Sequence, residues 1–301
     1  MEFARRLSPH ETQPDILQLK FRGRRRKILV AKALLPVRLC TAKLQEKASR
    51  WHGPEIKSTL ATWQIWLTIK RFMGALITRF SEVRALIFDL DGTLIDSKLD
   101  LALSVNATLA ELERNPLPHE QIFSFVGQGA PSLIARALGS DASEEDCRRG
   151  LEFFIKYYSA HKLDNTKLYP GVRETLDALK GMPMAVYTNK PVRVSRSIID
   201  ELGVADHFRF VYGGNSFERK KPDPMGVDSI LRDFGAAPAQ AMIVGDSEVD
   251  VQTARNSGTW VCGVTYGFGS HRLTEYPPDL LVDNLTELLP HLSEPPIRAP
   301  R

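Results

Sequence analysis

The sequence predicts an α/β fold: a parallel sheet with helices on both faces, interrupted by a helical insertion and preceded by a basic extension. Three observations carry this expectation. From Val83 onward, apolar runs of three to eight residues alternate with segments of helical periodicity, as expected of strands buried between helical layers. Roughly 85 residues separate the first run from the second, far more than a simple crossover needs. Several runs also end in acidic, hydroxyl or basic residues, at the sheet edge where ligands bind in folds of this class.

Val83–Leu90 (VRALIFDL) reads as the first strand and runs into the turn residues Asp91, Gly92 and Thr93. Leu99–Glu113, Glu120–Phe125, Ser132–Leu138 and Glu144–His161 read as helices of a separate lid, and Leu168–Gly171 marks the return to the core. Met184–Thr188, Phe210–Tyr212, Ala241–Val244 and Trp260–Val264 read as the remaining strands. Helices are expected between them over Arg193–Leu202, Gly226–Phe234 and Asp250–Ser257. The expected organisation is an extension over 1–82, poorly ordered or partly helical; a core over 83–95 and 169–290; a cap over 96–168; and a tail over 291–301.

With 301 residues, 43% hydrophobic and 25% charged, the chain is long enough for two compact domains and excludes wholesale disorder. Cys40, Cys147 and Cys262 form no CxxC pair or disulfide framework, and Met1–His10 leads into no secretory apolar core. The expectation is therefore a reducing, cytoplasmic setting. The net charge of +4 averages two unlike pieces: residues 1–84 hold 18 Lys and Arg against 6 Asp and Glu, or +12, and the remainder is −8.

Arg22, Arg24, Arg25, Arg26 and Lys27 cluster with only Phe21 beside them, without the stacking aromatics of a nucleic-acid surface. A solvated charge run is the expected reading, and no nucleic-acid partner is expected. Leu60–Phe80 is dense in apolar residues near helical spacing, but Lys70, Arg71 and Arg79 break it short of a transmembrane span. It reads either as a basic amphipathic helix on a membrane surface or as a helix packed on the next domain. A third reading starts translation at Met73, leaving the upstream residues without a role.

The chemistry lies at four strand ends. Asp89 and Asp91 bracket one residue where the first strand finishes, a spacing that suits a nucleophile and a general acid/base facing one space. Gly92 permits a sharp turn there. Thr188 and Asn189 follow the second strand with a hydroxyl and an amide; Lys220 and Lys221 precede the rigid Pro222-Asp223-Pro224 turn. Asp246, Glu248 and Asp250 follow the fourth strand as carboxylates for a hard cation, and magnesium takes few protein oxygens.

In these motifs the chain resembles the haloacid-dehalogenase superfamily of phosphohydrolases: DLDGT at 89–93, Thr188 with Asn189, Lys221 of KKPDP, and GDSEVD at 245–250. The likeness covers roughly 83–290 and leaves out the basic extension. It implies a Rossmann-like core in which the substrate phosphorylates Asp89, while Asp91 protonates the leaving group and then activates the water that cleaves the aspartyl-phosphate. Thr188 and Lys221 would hold the phosphoryl group, with Gly92, Thr93 and Asn189 around it. Asp246 would join the Asp89 carboxylate and the Asp91 carbonyl around Mg²⁺, and Asp250 would orient Lys221 or a metal-bound water.

An aspartate two residues after the nucleophile favours phosphate transfer over dehalogenation, since a halide needs no proton. A helical lid between the first and second motifs is similar to that of the phosphoglycolate phosphatase subgroup. Within it, Gly127, Gln128 and Gly129 resemble a loop that dips toward the substrate, with Arg136 facing a substrate carboxylate; the other reading is an ordinary interhelical turn with a surface arginine. Asp96 and Ser97 are expected at the hinge, and His161 and His271 at the surface. The expected activity is Mg²⁺-dependent hydrolysis of a small phosphorylated metabolite, 2-phosphoglycolate foremost. The alternatives are a pyrophosphatase, a β-phosphoglucomutase-like phosphotransferase, or an interaction protein tethered by its basic leader.

Overall fold

The computed structural model describes residues 80–292, together with the backbone of Ile16–Phe21 and Arg24–Leu29. Those two leader segments pair as an antiparallel hairpin, β1 (Ile16–Phe21) and β2 (Arg24–Leu29), with Leu19 opposite Arg26. Arg24, Arg25, Arg26 and Lys27 of the basic cluster lie on β2. Period-two alternation of Leu17, Leu19 and Phe21 suits the paired strand. The stretch Leu60–Arg79 lies outside the described residues. Phe80, its last member, is buried and meets Trp260 edge-on at 5.2 Å, so it belongs to the core.

From there the chain builds a six-stranded sheet from β3 (Ala85–Phe88), β6 (Met184–Tyr187), β7 (Phe210–Tyr212), β8 (Ala241–Gly245), β9 (Trp260–Val264) and β10 (Leu280–Val282). The sheet is parallel throughout, in the order β10-β9-β8-β3-β6-β7. β3 is central because all four of its residues are apolar and buried. Leu86 and Phe88 enter the apolar cluster on one face with Val186 and Val244, while Ala85 and Ile87 enter the other with Tyr187 and Ile243. A strand apolar on both sides needs helices on both sides. These are α5 (Val172–Ala178), α6 (Val192–Glu201), α7 (Met225–Phe234) and α8 (Glu248–Ser257). This is the Rossmann-like arrangement that the motifs implied.

The insertion consists of α1 (Lys98–Glu111), α2 (His119–Phe123), α3 (Ala130–Leu138) and α4 (Glu144–His161). Ser143 caps α4 by accepting from the Asp146 amide, and the Asp146 carboxylate accepts from the Ser143 amide in return. α1 and α3 pack on α4 through Leu109, Leu133, Leu138 and Phe154. The two crossings between core and insertion are tied as a short antiparallel ribbon, β4 (Ile95–Asp96) with β5 (Lys167–Leu168). Among the described residues no helix is long and apolar enough to cross a membrane.

Candidate active site

Register decides what meets at the sheet's carboxyl edge. Phe88 lies beside Val186 on one neighbour and Val244 on the other. Asp89, Thr188 and Asp246 follow these residues by one or two positions, so three sequence-distant segments converge over the middle of the sheet. Asp89 Oδ1 lies 2.9 Å from the ammonium of Lys221, in ion-pair contact but without hydrogen-bond alignment. Lys221 also lies 2.6 Å from Asp250 Oδ1. Of the two adjacent lysines, Lys221 is the one beside Asp89; Lys220 Nζ instead donates to the Gln128 carbonyl at 2.6 Å.

Burial, opposed by the Lys221 ammonium and reinforced by Asp250, raises the Asp89 carboxyl to about 6. Asp246 is raised well above the usual carboxylate range, by burial and then by the like charges of Asp250 and Asp89. Burial alone would discharge Lys221, yet the Asp250 and Asp89 carboxylates outweigh it and hold the ammonium above its ordinary value. The site is over-supplied with negative charge.

Asp89, Asp246 and Asp250 each offer an oxygen within 4.8 Å of the others. Gly92 has φ +84°, and a Cβ there would strike the Asp246 carboxylate, so the turn is shaped around that oxygen pair. Hard oxygen donors that repel one another beside a side-chain-free turn fit a divalent cation of the oxygen-preferring kind. Asp250 stands in this acidic group and on Lys221 at once; its other oxygen accepts from the Ser247 amide and hydroxyl at 3.1 and 2.7 Å, capping α8.

Other expected site residues occupy different places. Thr93 is fully buried; its hydroxyl donates to Asp246 Oδ1 at 3.4 Å, so it braces that carboxylate. Gly92 likewise serves Asp246. Thr188 is buried at the cleft wall, and its hydroxyl accepts from the Lys190 amide at 3.3 Å. Asn189 uses its amide group to hold two loops, donating to the carbonyls of Gly127 at 3.0 Å and Lys221 at 3.2 Å.

The cap loop Val126–Gly129 lines the cleft over Asp89 and Asp91. Gly129 is needed for close approach, but to protein: a Cβ would lie 2.8 Å from the Asn189 carbonyl. Gly127 has open space around it and is distinguished by φ +118° alone. Arg136 lines the same cleft and donates to Gln128 Oε1 at 2.8 Å. Outside the cleft, His161 is half-buried and pairs with Asp164 at 2.8 Å. His271 is exposed, as expected, and stands at the cleft rim, where a short turn after β9 also brings Arg272 to the lining.

The largest omission concerns Asp91. Its two carboxylate oxygens each accept from Lys190 Nζ at 3.0 Å, and Ser97 donates to it as well. The same ammonium donates to Tyr158 Oη at 2.8 Å. Burial would lower Lys190, but Asp91 and Tyr158 reverse this and hold it above its ordinary value. Burial pushes the Tyr158 hydroxyl up to about 12, so it stays neutral near pH 7.

A parallel sheet with an acidic, lysine-bearing edge beneath a helical cap defines a hydrolase class, and the chain belongs to it. Residues 86–264 match the family of haloacid dehalogenase-like hydrolases. It is a phosphatase of that family. A phosphoglycolate phosphatase of Pseudomonas savastanoi is 40% identical over 215 residues, covering 69% of this chain and 79% of that one. One from Haemophilus influenzae is 40% identical over 212 residues, covering 67% and 95%. A crystal structure of a predicted phosphoglycolate phosphatase from Haemophilus somnus superposes with a TM-score of 0.67 at 32% identity, covering 69% of this chain and 97% of that chain.

Proposed function

We propose that the protein is a Mg²⁺-dependent phosphatase of small phosphorylated metabolites, with 2-phosphoglycolate as its substrate. The observation that carries this reading is the meeting of Asp89 and Asp246, just beyond the ends of the adjacent strands β3 and β8, with Lys221, whose Nζ lies 2.9 Å from Asp89. The identity of the substrate rests on the relatives named above and on a cleft rim that holds Arg136 and Arg272, guanidinium cations suited to a second anionic group.

In this reading Asp89 is the nucleophile. Its oxygen forms a bond to phosphorus as the bond from phosphorus to the leaving oxygen breaks, and Asp91 gives that oxygen a proton. Asp91 then takes a proton from water as the water attacks phosphorus and the bond to Asp89 breaks, releasing phosphate. Thr188 and Lys221 hold the phosphoryl oxygens, Lys221 neutralising charge that builds up near Asp89. Asp89, Asp246 and the Asp91 carbonyl would hold Mg²⁺, which supplies further charge neutralisation. Asp250 keeps Lys221 in place. The domains follow from this: a core over 83–95 and 169–290, and a cap over 96–168 that shields the cleft from water.

The test is release of phosphate by the purified full chain with Mg²⁺, across 2-phosphoglycolate, pyrophosphate, nucleotides and sugar phosphates. The expected result is the highest kcat/KM for 2-phosphoglycolate and loss of nearly all turnover in Asp89→Asn. Higher kcat/KM on pyrophosphate, or isomerised sugar phosphate without free phosphate, would replace the substrate assignment. An active Asp89→Asn would remove the nucleophile.

A further inference from the structure

The cation paired with Asp91 has no part in the reaction just described. Lys190 follows β6 on the core and is buried. Its ammonium has three protons to donate and three acceptors in reach, the two Asp91 oxygens at 3.0 Å and Tyr158 Oη at 2.8 Å. The Tyr158 ring also lies beneath it, with the centroid 4.4 Å away. The lysine is therefore fully committed and fixed in direction. Asp91 and Lys190 belong to the core, whereas Tyr158 belongs to α4 of the cap, stacked on Phe154 at 5.5 Å. Two further bonds seat the cap on the same rim, from Asn189 to Gly127 and from Lys220 to Gln128.

We propose that Lys190 is a positioning residue for Asp91, and that Tyr158 makes this positioning depend on the cap being seated. The inference rests on the reading of Asp91 as general acid and base. When Asp91 passes its proton to the departing oxygen, negative charge appears on its carboxylate beside the Lys190 ammonium. In a buried, water-poor site a fixed cation at that distance stabilises the developing charge without reorganising. A cap that swings away carries Tyr158 with it, leaving Lys190 one acceptor short and open to water. The acid is then oriented only when the substrate is enclosed.

An aryl ester with an activated leaving group departs without a proton and develops no charge on Asp91. An alkyl ester needs the proton. Lys190→Met should therefore act selectively. With full-length protein and Mg²⁺, kcat/KM for 2-phosphoglycolate is expected to fall about 100-fold, and for p-nitrophenyl phosphate by less than about fivefold. Glycerol 3-phosphate serves as the alkyl ester if the substrate screen rejects 2-phosphoglycolate. Tyr158→Phe, which removes one hydroxyl and keeps the ring, should show the same selectivity at about 10-fold. Asp91→Asn is the reference and should be selective in the same sense.

Equal losses on both esters in Lys190→Met, with Asp91→Asn still selective, would overturn the proposal in favour of phosphate binding or a purely structural role. An unselective Tyr158→Phe beside a selective Lys190→Met would overturn the link to the cap. If Asp91→Asn itself is unselective, the acid/base reading fails and the inference falls with it, a result distinct from the other two.

Discussion

The ammonium of Lys221 lies 2.6 Å from Oδ1 of Asp250, and both side chains are almost wholly buried. Because the same ammonium lies 2.9 Å from Asp89, Asp250 fixes the distance at which the lysine meets the proposed nucleophile. Asp250→Asn keeps the shape and the Ser247 cap acceptor but deletes one of two charges balancing the lysine. Breaking a buried pair in this way costs about 3 kcal/mol, and the freed lysine should move onto Asp89 and blunt it. The expected outcome is a lower urea midpoint together with a fall in kcat of about 10-fold or more. An unchanged midpoint would show that the pair does not hold the lysine.

Asp100 anchors the start of α1 to the chain re-entering the core. Its buried carboxylate accepts from the amides of Asn165 and Thr166, from Asn165 Nδ2 at 2.8 Å and from Thr166 Oγ1 at 2.7 Å. Burial pushes the carboxyl up, but the Thr166 and Asn165 hydrogen bonds together outweigh it and hold it below its ordinary value. A carboxyl lowered in the folded state contributes stability above its unfolded pKa and loses it as pH falls through the folded one. Asp100→Asn should therefore cost about 2 kcal/mol at pH 7. The gap from wild type should stay constant down to about pH 5 and narrow only below the ordinary carboxylate range. Denaturant titrations at several pH values measure this; a gap that closes between pH 7 and 5 would contradict it.

Most of the fold was legible because its signals are local. β3, β6, β8 and β9 are continuous apolar runs, and the α4 bounds follow from Ser143 and a sustained periodicity. Ile95–Asp96 and Lys167–Leu168 are two-residue strands and carry no period at all. Leu280–Val282 is three residues long, and Val172–Ala178 is a short helix behind Gly171. At the site, Asp89, Thr188, Lys221 and Asp246 were legible as residues just beyond strand ends or at a rigid turn. The Lys190–Tyr158 contact was not, since it joins residues 32 apart in sequence through the docking of a helix whose rotation no motif records. The Thr93 bond to Asp246 was not legible for a related reason: a motif says that a residue is near the chemistry, but not which way its hydroxyl turns.

Arg136 tests how the cleft chooses its substrate. Its exposed guanidinium donates to Gln128 Oε1 at 2.8 Å, which steadies it at the cleft rim. If it receives the carboxylate of 2-phosphoglycolate, Arg136→Gln removes one charge-assisted contact, worth about 1.5–3 kcal/mol. KM for that substrate should rise roughly 10- to 100-fold with kcat less affected. p-Nitrophenyl phosphate, which has no carboxylate, should keep its KM. A rise on both substrates would mean that the arginine supports the loop through Gln128 and recognises nothing.

Asp246 and Gly92 make opposite predictions for the metal-free protein and the same prediction for the metal. The Asp246 carboxylate is buried, and its charge is opposed by Asp250 and Asp89. Asp246→Asn removes that repulsion and leaves a side chain that can still accept from the Gly269 amide, now 2.9 Å away. The variant should melt higher than wild type in EDTA, by an amount equivalent to about 1–2 kcal/mol. Gly92→Ala pushes a methyl into the same carboxylate from a residue at φ +84°, and should melt lower by about 1 kcal/mol or more. For wild type, Mg²⁺ in excess of its Kd should raise Tm through binding to the folded state alone. That rise should vanish in Asp246→Asn and shrink in Gly92→Ala, and phosphate release should fall with it. Scanning calorimetry with and without Mg²⁺ reads all of these shifts, and a full Mg²⁺ response in Asp246→Asn would place the cation elsewhere.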